Sequence, residues 1–492
     1  MSNWVTLGVN IVVGFILTPF VIRHLGKTGY GIWTLVGSFI GYYGLLNLGV
    51  SSAITRYVAR YAGQGDEKSL NETASTGMAM FCGTGVLAVV VAFFVAGPLA
   101  SFFKVDPGHF VDFQRTVRLI GLATGISFSS NVFGAIIRAH EKFVVANAAN
   151  IAVTLARTAL TVCLLLSGAA LLGVAAATLI TELLNLVVNI LLCRFLTPLV
   201  RIRFDFARLS VLRMLITYGS ITTVIVIADI MRINLDSFVI GKWVNLSAVG
   251  VYGIAATIIH YIVSLVTAGM GVLTPRFAAL DGKGDHAQAR RLLVKAVSVS
   301  SFLSFGGYMM AIIFGKQFIL WWVGKDFTEA ASILWILSFS YAFAIAQTPA
   351  IGFMYALNKH YFYAIATMIE AIANLTLSII LVYRYGIVGV ALGTMIPMLI
   401  VKILVMPIYV SRIAGISIRE YIRPMMPPAV VASIMTLAAY YMGIVTRDTP
   451  TIGYLICAGM IAGALYVAAY YLVMRKYNPT FILSVIPGSK AS

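Results

Sequence analysis

Charged residues are scarce in this chain. Lysine, arginine, aspartate and glutamate make up 11% of its 492 residues, whereas soluble domains carry nearer a quarter. Hydrophobic residues make up 60%, and the mean hydropathy is +0.95. The polar stretches between the apolar segments are too short to form a soluble catalytic or nucleotide-binding domain. These absences exclude an ordinary soluble enzyme.

Motifs for catalysis and for metal binding are also lacking. The sequence contains neither the GxxxxGK[ST] pattern of a phosphate-binding loop nor the HExxH pattern of a zinc enzyme. Its six histidines are scattered, and its four cysteines lie within or at the ends of apolar segments. The sequence therefore predicts no cofactor, no bound metal and no disulfide framework.

Apolar runs of about 20 residues recur throughout, and each is long enough to cross a bilayer core about 30 Å thick. Only helices or closed barrels satisfy the backbone in lipid, and these runs are too long for barrel strands. We therefore predict an all-α, polytopic membrane protein. Its fourteen expected helices lie at about 4–22, 30–61, 70–97, 112–138, 143–166, 170–195, 211–241, 247–279, 290–314, 328–357, 361–383, 387–411, 428–445 and 451–474.

Two stretches of the chain, 29–66 and 250–285, resemble each other. Each begins near a Tyr-Gly-Ile triplet, reaches a single arginine followed by an aromatic residue, at Arg56 and Arg276, and ends on Gly-x-Gly-Asp. Two later segments keep nearly the same offset. The pattern indicates an internal duplication.

Each repeat contains six predicted helices, so both copies have the same orientation in the membrane, with a cavity expected between them. We predict an N-terminal lobe at 1–200, a C-terminal lobe at 201–420, and two extra helices with the tail at 421–492. The arginine-rich link at 194–213 is the predicted hinge. This is the architecture of an alternating-access transporter.

The net charge of +18 comes from basic residues at helix ends rather than from one patch, which argues against a nucleic-acid partner. With the N-terminus inside, the inside loops hold 22 of the 35 lysines and arginines, the outside loops 10 and the spans 3. This asymmetry predicts that both termini are cytoplasmic.

Ionisable residues inside a membrane cost on the order of 2.5–3.5 kcal/mol and are candidates for function. Those within predicted spans are Arg157, Glu182, Asp229, Arg232, Asp236, Glu370 and Lys402, and those near span ends are Arg23, Arg56 and Arg276. The end-of-span arginines either extend to lipid headgroups or bind a ligand. Arginine suits diphosphate oxygens because its planar group donates two hydrogen bonds at once.

The acidic candidates leave two alternatives open, a structural ion pair or a part in ion coupling. Asp229, Arg232 and Asp236 share one helix face at spacing i, i+3 and i+7. Arg157 and Glu182 lie on consecutive helices and are a candidate pair. Glu370 forms a polar patch with Asn374 one turn away.

The chain resembles the polysaccharide-transporter branch of the multidrug/oligosaccharidyl-lipid/polysaccharide flippase superfamily. The resemblance is carried by Thr18-Pro-Phe, Tyr30-Gly-Ile-Trp, Leu48-Gly, Arg56-Tyr and Gly65-Asp. It implies fourteen helices in twin lobes around a cavity. It also implies export of an undecaprenyl-diphosphate-linked oligosaccharide from the inner to the outer leaflet of the bacterial plasma membrane.

The same resemblance implies diphosphate binding by cavity arginines, of which Arg56 matches best by position and Arg23 next, with Arg276 added by repeat symmetry. The implied partners are the lipid-linked oligosaccharide, membrane lipids, and glycan polymerase or assembly proteins. One alternative is an ion-coupled multidrug or toxin exporter of the same superfamily, which would use acidic cavity residues. The other is a membrane-embedded sugar polymerase or ligase.

Overall fold

Helices account for all the regular secondary structure that the computed structural model describes, which covers residues 2–44, 49–444 and 451–477. The helices of the first half are α1 (Ser2–Tyr43), α2 (Val50–Gln64), α3 (Glu67–Phe102), α4 (Pro107–Ala139), α5 (Phe143–Leu166), α6 (Ala170–Leu196) and α7 (Leu209–Trp243).

The second half continues in the same manner. Its helices are α8 (Leu246–Gly271), α9 (Leu273–Gly282), α10 (His286–Trp322), α11 (Ala330–Ala346), α12 (Thr348–Ala356), α13 (Tyr361–Ile400), α14 (Met406–Ala414), α15 (Ile418–Ile422), α16 (Met426–Tyr441) and α17 (Ile452–Tyr477). A short π-helix, Val401–Val405, joins α13 to α14.

The predicted all-α membrane architecture is confirmed. In the described residues, eleven helical segments are long and apolar enough to cross a membrane. Two of them contain kinks, at Gly26 and at Gly386. The segment with Gly386 holds two predicted spans, and the segment with Gly26 holds the first span and the beginning of the second. With α7 added, the fourteen predicted helices are accounted for. The span predicted at 30–61 is divided between two helices, because α1 ends at Tyr43 and α2 begins after Gly49.

Side chains are arranged as a lipid environment requires. Large apolar residues such as Phe94, Leu183 and Ile434 are exposed on spanning helices, where hydrocarbon rather than water would surround them. Small polar groups are buried between helices instead. Ser300 and Ser304 of α10 donate hydrogen bonds to the carbonyls of Ile345 and Ala342 in α11, at 2.8 and 2.7 Å. Such interhelical hydrogen bonds hold helices together where the hydrophobic effect does not.

The chain divides into two compact units, Met1–Gly250 and Val251–Ser492. The lobes predicted at 1–200 and 201–420, with 421–492 as an addition, differ from this division. The reason is that α7 packs against α1, α2 and α3 of the first unit.

The arginine-rich link, predicted as a hinge, is attached to α3. Three of its backbone amides donate hydrogen bonds to α3 side chains: Arg201 to Asn71 Oδ1, Arg203 to Ser75 Oγ and Arg208 to Thr76 Oγ1, at 2.6, 3.1 and 3.0 Å. These bonds hold residues 201–208 within the first unit.

The Gly-Asp pair that closes each sequence repeat makes the same turn in both places. Gly65 and Gly284 have φ angles of 69° and 70°, which a residue without a Cβ adopts at little cost. The following aspartates cap the next helix: Asp66 accepts from Ser69 N at 3.0 Å, and Asp285 from Gln288 N at 2.9 Å. The repeated motif therefore joins two helices and starts the second one.

Replacing Asp66 with alanine should lower the thermal midpoint by roughly 1–2 °C, because one amide at the start of α3 loses its acceptor. Hydrogen bonds from Ser69 hold the pKa of the Asp66 carboxyl below its usual range. The folded pKa is thus lower than the unfolded value of about 3.9. The stabilisation is complete above about pH 4 and is lost as the pH falls through the folded pKa.

The measurement is thermal unfolding of the purified protein in detergent between pH 3 and pH 7. Asp66→Asn is the matched control, because asparagine keeps the capping oxygen and does not titrate. An alanine variant as stable as the parent at pH 7 would remove the capping role.

Candidate functional site

The first candidate arginine lies on a short helix that follows a break in the membrane-spanning chain. Helix α2 begins after Gly49, whose φ is 66°. Its buried face, formed by Val50, Ala53, Ile54 and Val58, contacts the core of the first unit. Arg56 lies on the opposite, exposed face. The spacing of the apolar residues therefore determines which way the guanidinium faces.

Two tyrosines flank the Arg56 guanidinium. Its Cζ lies 4.7 Å from the ring centroid of Tyr218 in α7 and 6.0 Å from that of Tyr57. The two tyrosine rings meet edge to face, with centroids 6.0 Å apart. A cation placed over aromatic rings is attracted by them and loses side-chain freedom. Arg56 is therefore positioned by α2 and α7 while it remains accessible to an anion.

Arg276, the repeat counterpart, lies in a similar local setting in the second unit. It is exposed on the short helix α9, which follows a break after Gly271. The next residue, Phe277, is fully buried and meets the Phe353 ring edge to face at 5.3 Å. In both repeats, an aromatic residue attaches the short helix to its unit and the preceding arginine faces outward.

Arg23 is exposed on α1, three residues before the kink at Gly26. Its neighbour His24 packs against Phe20, with ring centroids 4.3 Å apart. Arg23 thus lies at the end of the first arm of α1. Contact with lipid headgroups and binding of a ligand both remain alternatives for it.

The three predicted candidates on α7 are only partly described. Asp236 is buried, with 4% of its surface exposed, and it interacts electrostatically with Tyr42 of α1. The side chains of Asp229 and Arg232 lie outside the described residues. A predicted ion pair among the three therefore remains a prediction.

Arg157 lies on α5 and Glu182 on the neighbouring helix α6, close enough to interact electrostatically. The hydrogen bond of Arg157 Nη2 goes to Thr178 Oγ1 at 3.0 Å. Glu182, one turn further along α6, accepts from Asn185 Nδ2 at 3.4 Å. The helices thus bring the two predicted partners near each other, with threonine as the direct contact of the arginine.

Glu370 pairs with Lys402, a partner that was not among those predicted for it. Its Oε2 lies 3.5 Å from Lys402 Nζ, and the two side chains are 1% and 3% exposed. The ammonium also lies 5.2 Å from the centroid of the Tyr363 ring. An ion pair this buried is costly to disrupt, because removal of one partner leaves an uncompensated charge.

The π-helix at Val401–Val405 contains Lys402 and changes the backbone pairing around it. The carbonyl of Lys402 accepts a hydrogen bond from Gln347 Nε2 at 2.7 Å. Tyr421 in turn donates its hydroxyl to Gln347 Oε1 at 3.2 Å. A π-helix leaves carbonyls outside the regular helical pattern, and here a side-chain amide binds one of them.

A signal for the Glu370–Lys402 pair exists in the sequence. The chain folds back at Gly386, since Ser378 on the first arm donates to the carbonyl of Val390 on the second at 3.3 Å. Glu370 and Lys402 each lie sixteen residues from Gly386 (386 − 370 = 16; 402 − 386 = 16). Two residues equidistant from a helical turn lie at the same depth. No comparable signal identifies Tyr218 as a neighbour of Arg56.

Metal binding finds no support in the described part of the chain, where no group of three or more histidine, cysteine, aspartate or glutamate residues could hold an ion.

The sequence also matches a family model described as "Polysaccharide biosynthesis protein" over residues 20–332. This chain belongs to that polysaccharide biosynthesis family. A relative, described as a putative O-antigen transporter of Shigella flexneri, is 20% identical over 393 residues. The alignment covers 79% of this chain and 92% of the relative.

Two solved transporter structures have the same fold as this chain. One is described as the lipid II flippase MurJ in an inward closed conformation, with a TM-score of 0.73, 14% identity, and coverage of 97% of this chain and 98% of that one. Another is described as the inward-facing conformation of a multidrug resistance MATE family transporter of the MOP superfamily. Its TM-score is 0.69 at 15% identity, with coverage of 84% and 96%. The chain therefore has the fold of this transporter superfamily.

Proposed function

We propose that this protein is a flippase that moves an undecaprenyl-diphosphate-linked oligosaccharide from the inner to the outer leaflet of the bacterial plasma membrane. The observation that carries the proposal is membership of a polysaccharide biosynthesis family in a chain built of membrane-spanning helices. The fold shared with a lipid II flippase along 97% of the chain supports it. Protein of this kind changes the leaflet of its substrate and makes or breaks no bond in it.

The proposed mechanism assigns the diphosphate to exposed arginines. Arg56, held by Tyr218 and Tyr57, presents its planar group to phosphate oxygens, and Arg276 does so from the other repeat. Arg23 is the third candidate. Tyrosine rings beside Arg56 offer faces for sugar stacking. The isoprenoid tail stays in the bilayer, so only the polar head has to cross the membrane interior in contact with the protein.

The absence of an ATP-binding motif in the sequence points to a gradient as the driving force. A head with two negative charges that leaves an inside-negative cytoplasm gains about 4.6 kcal/mol per 100 mV. If arginines neutralise the head in transit, the empty cationic cavity returns inward with the field, and the total over the cycle is the same. Glycan polymerase or assembly proteins would receive the exported product.

We place both termini in the cytoplasm, because basic residues concentrate in the loops that this orientation puts inside. Arg208, in the link before α7, is then cytoplasmic. A cysteine placed at Arg208 should react with a membrane-impermeant reagent only after the membrane is opened. Labelling in intact cells would show that this link faces outward and that the proposed orientation is wrong.

The multidrug or toxin exporter is the second candidate, because a transporter of that type shares the fold and acidic residues lie within spans. Lys402 weakens this alternative, since it neutralises Glu370 and leaves that carboxylate unsuited to a cationic drug. Asp236, a buried carboxylate within a predicted span, is the residue that still favours an exporter.

The decisive experiment uses vesicles that contain the purified protein and a labelled undecaprenyl-diphosphate-linked glycan. Leaflet-specific detection should show protein-dependent translocation that slows when ion gradients are collapsed and continues without ATP. Product analysis should find the glycan unchanged, because a polymerase or ligase would lengthen or transfer it. Translocation equal to that of protein-free vesicles would reject the flippase. Extrusion of a cationic dye instead of the glycan would favour the exporter.

A further inference from the structure

A cavity of about 400 Å³ opens in the first unit, away from the candidate residues described above. We call it the α3–α6 groove and define it by Phe93, Arg115, Arg118, Leu119, Leu122 and Leu172. Its volume lies within the range of small-ligand sites, about 300–1,000 Å³. All four helices that line it, α3, α4, α5 and α6, belong to one unit, so the groove is complete within that unit.

Two arginines supply the only charges among the residues that line the groove. Arg115 is exposed and Arg118 half-buried. The Arg118 Cζ lies 5.7 Å from the centroid of the Phe93 ring, and its buried Nε has no hydrogen-bond partner among the described residues. Within that part of the chain, neither arginine forms an ion pair within 4.0 Å, although Asp112 lies one turn before Arg115. The arginines therefore line the groove with their carbon stems, and the two positive groups that they carry beside it lack a counter-ion.

The rest of the groove is apolar and runs along the helices. Arg115, Arg118, Leu119 and Leu122 have the spacing i, i+3, i+4 and i+7, so they share one face of α4. The two arginines occupy one end of this face, and Leu122 lies further along the helix axis, about 10 Å from Arg115 and about 6 Å from Arg118. Leu172 of α6 lines the same space. An apolar chain fits this lining, and an anionic group at its end would meet the two arginines.

The position along the helices places the arginine end of the groove near a membrane surface. Helix α5 ends at Leu166 and α6 begins at Ala170, and both Leu164 and Ala169, at this turn, line the groove. The apolar end continues toward the bilayer interior along Leu122 and Ala176. Phe93, at the rim, is 45% exposed, so the groove is open to lipid at its side. A membrane lipid has the same arrangement, with its headgroup at the surface and its acyl chains in the interior.

We propose that the α3–α6 groove binds an anionic phospholipid. Arg115 and Arg118 bind the phosphodiester, and one acyl chain lies along Leu119, Leu122 and Leu172. Charge complementarity selects the anionic class, because a zwitterionic headgroup adds a positive group beside two guanidinium groups. The bound lipid fills space between four helices of the first unit and stabilises their arrangement.

The test measures binding of phosphatidylglycerol and of phosphatidylcholine with identical chains to the purified full-length protein in detergent, by native mass spectrometry and by thermal shift. The parent should bind phosphatidylglycerol more tightly and gain more thermal stability from it. Arg115→Gln with Arg118→Gln should weaken that binding by about tenfold or more, since two charge-assisted contacts are lost. The lipid-free thermal midpoint of each variant shows whether it is folded.

Two further variants separate the head from the chain. Ala176→Phe fills the apolar end and should weaken binding of both phospholipids while both arginines remain. Arg60→Gln with Arg201→Gln removes two exposed charges elsewhere and should leave the preference intact.

Equal loss in that control pair would indicate general attraction between a basic protein and anionic lipid, and would overturn the site. Unchanged binding in Ala176→Phe would overturn the chain position. If an isoprenoid diphosphate binds this groove more tightly than phosphatidylglycerol does, the proposed ligand is wrong and the isoprenoid diphosphate takes its place.

Discussion

Cells that carry Arg56→Ala or Arg276→Ala should lose export of their surface glycan, by about tenfold or more for each substitution. Arg56 faces outward from α2 with its guanidinium over the Tyr218 ring, and alanine removes both hydrogen bonds that a bidentate group can donate to a diphosphate. Surface glycan is measured by gel electrophoresis or lectin binding, together with the amount of protein in the membrane.

Lysine at position 56 should restore part of the export, because it keeps the charge but not the planar fork. Arg60→Ala and Lys283→Ala are matched controls that remove exposed cations close to each site, and both should export normally. Normal glycan in the two alanine variants would remove the diphosphate-binding role of Arg56 and Arg276. Loss of the variants from the membrane would instead indicate a folding role.

The second large effect is expected at the buried pair. Glu370→Leu and Lys402→Met should each destabilise the protein by about 3–5 kcal/mol, because either change leaves one charge buried without its partner. The double variant should recover most of the loss, since two apolar side chains of similar size need no neutralisation. Thermal unfolding in detergent and the yield of monodisperse protein measure both outcomes.

This double-variant comparison also tests the two alternatives left open for Glu370. A structural pair predicts that the double variant folds and translocates the glycan. A part in ion coupling predicts that it folds but no longer responds to the ion gradient. Single variants as stable as the parent would show that the 3.5 Å contact contributes little.

Much of the fold follows from local properties of the sequence. Runs of apolar residues predict the fourteen helices because burial in lipid requires only length and hydropathy. The repeated Gly-Asp pair predicts a matched turn, which Asp66 and Asp285 form with the same capping geometry. The boundary between units was less predictable, because it depends on which helices α7 contacts.

Some residues of the candidate site can be recognised from the sequence, and others cannot. Arg56 and Arg276 are recognisable from their repeat positions, and the amphipathic pattern of α2 predicts that Arg56 faces away from the core. Tyr218 is not recognisable, since it lies 162 residues further on (218 − 56 = 162) and carries no local signal. Arg157 illustrates the limit of pairing by charge, because its direct hydrogen bond goes to Thr178.

The sequence by itself determined that this is a helical membrane protein with an internal repeat, few acidic residues and two arginines at equivalent positions. Hydropathy and repetition are properties of the chain taken in order, so no contact is needed to detect them. Only the tertiary structure decided that Tyr218 holds Arg56 and that Arg115 and Arg118 border an apolar groove. These contacts join different helices, and helix packing determines which side chains come within a few ångströms of each other.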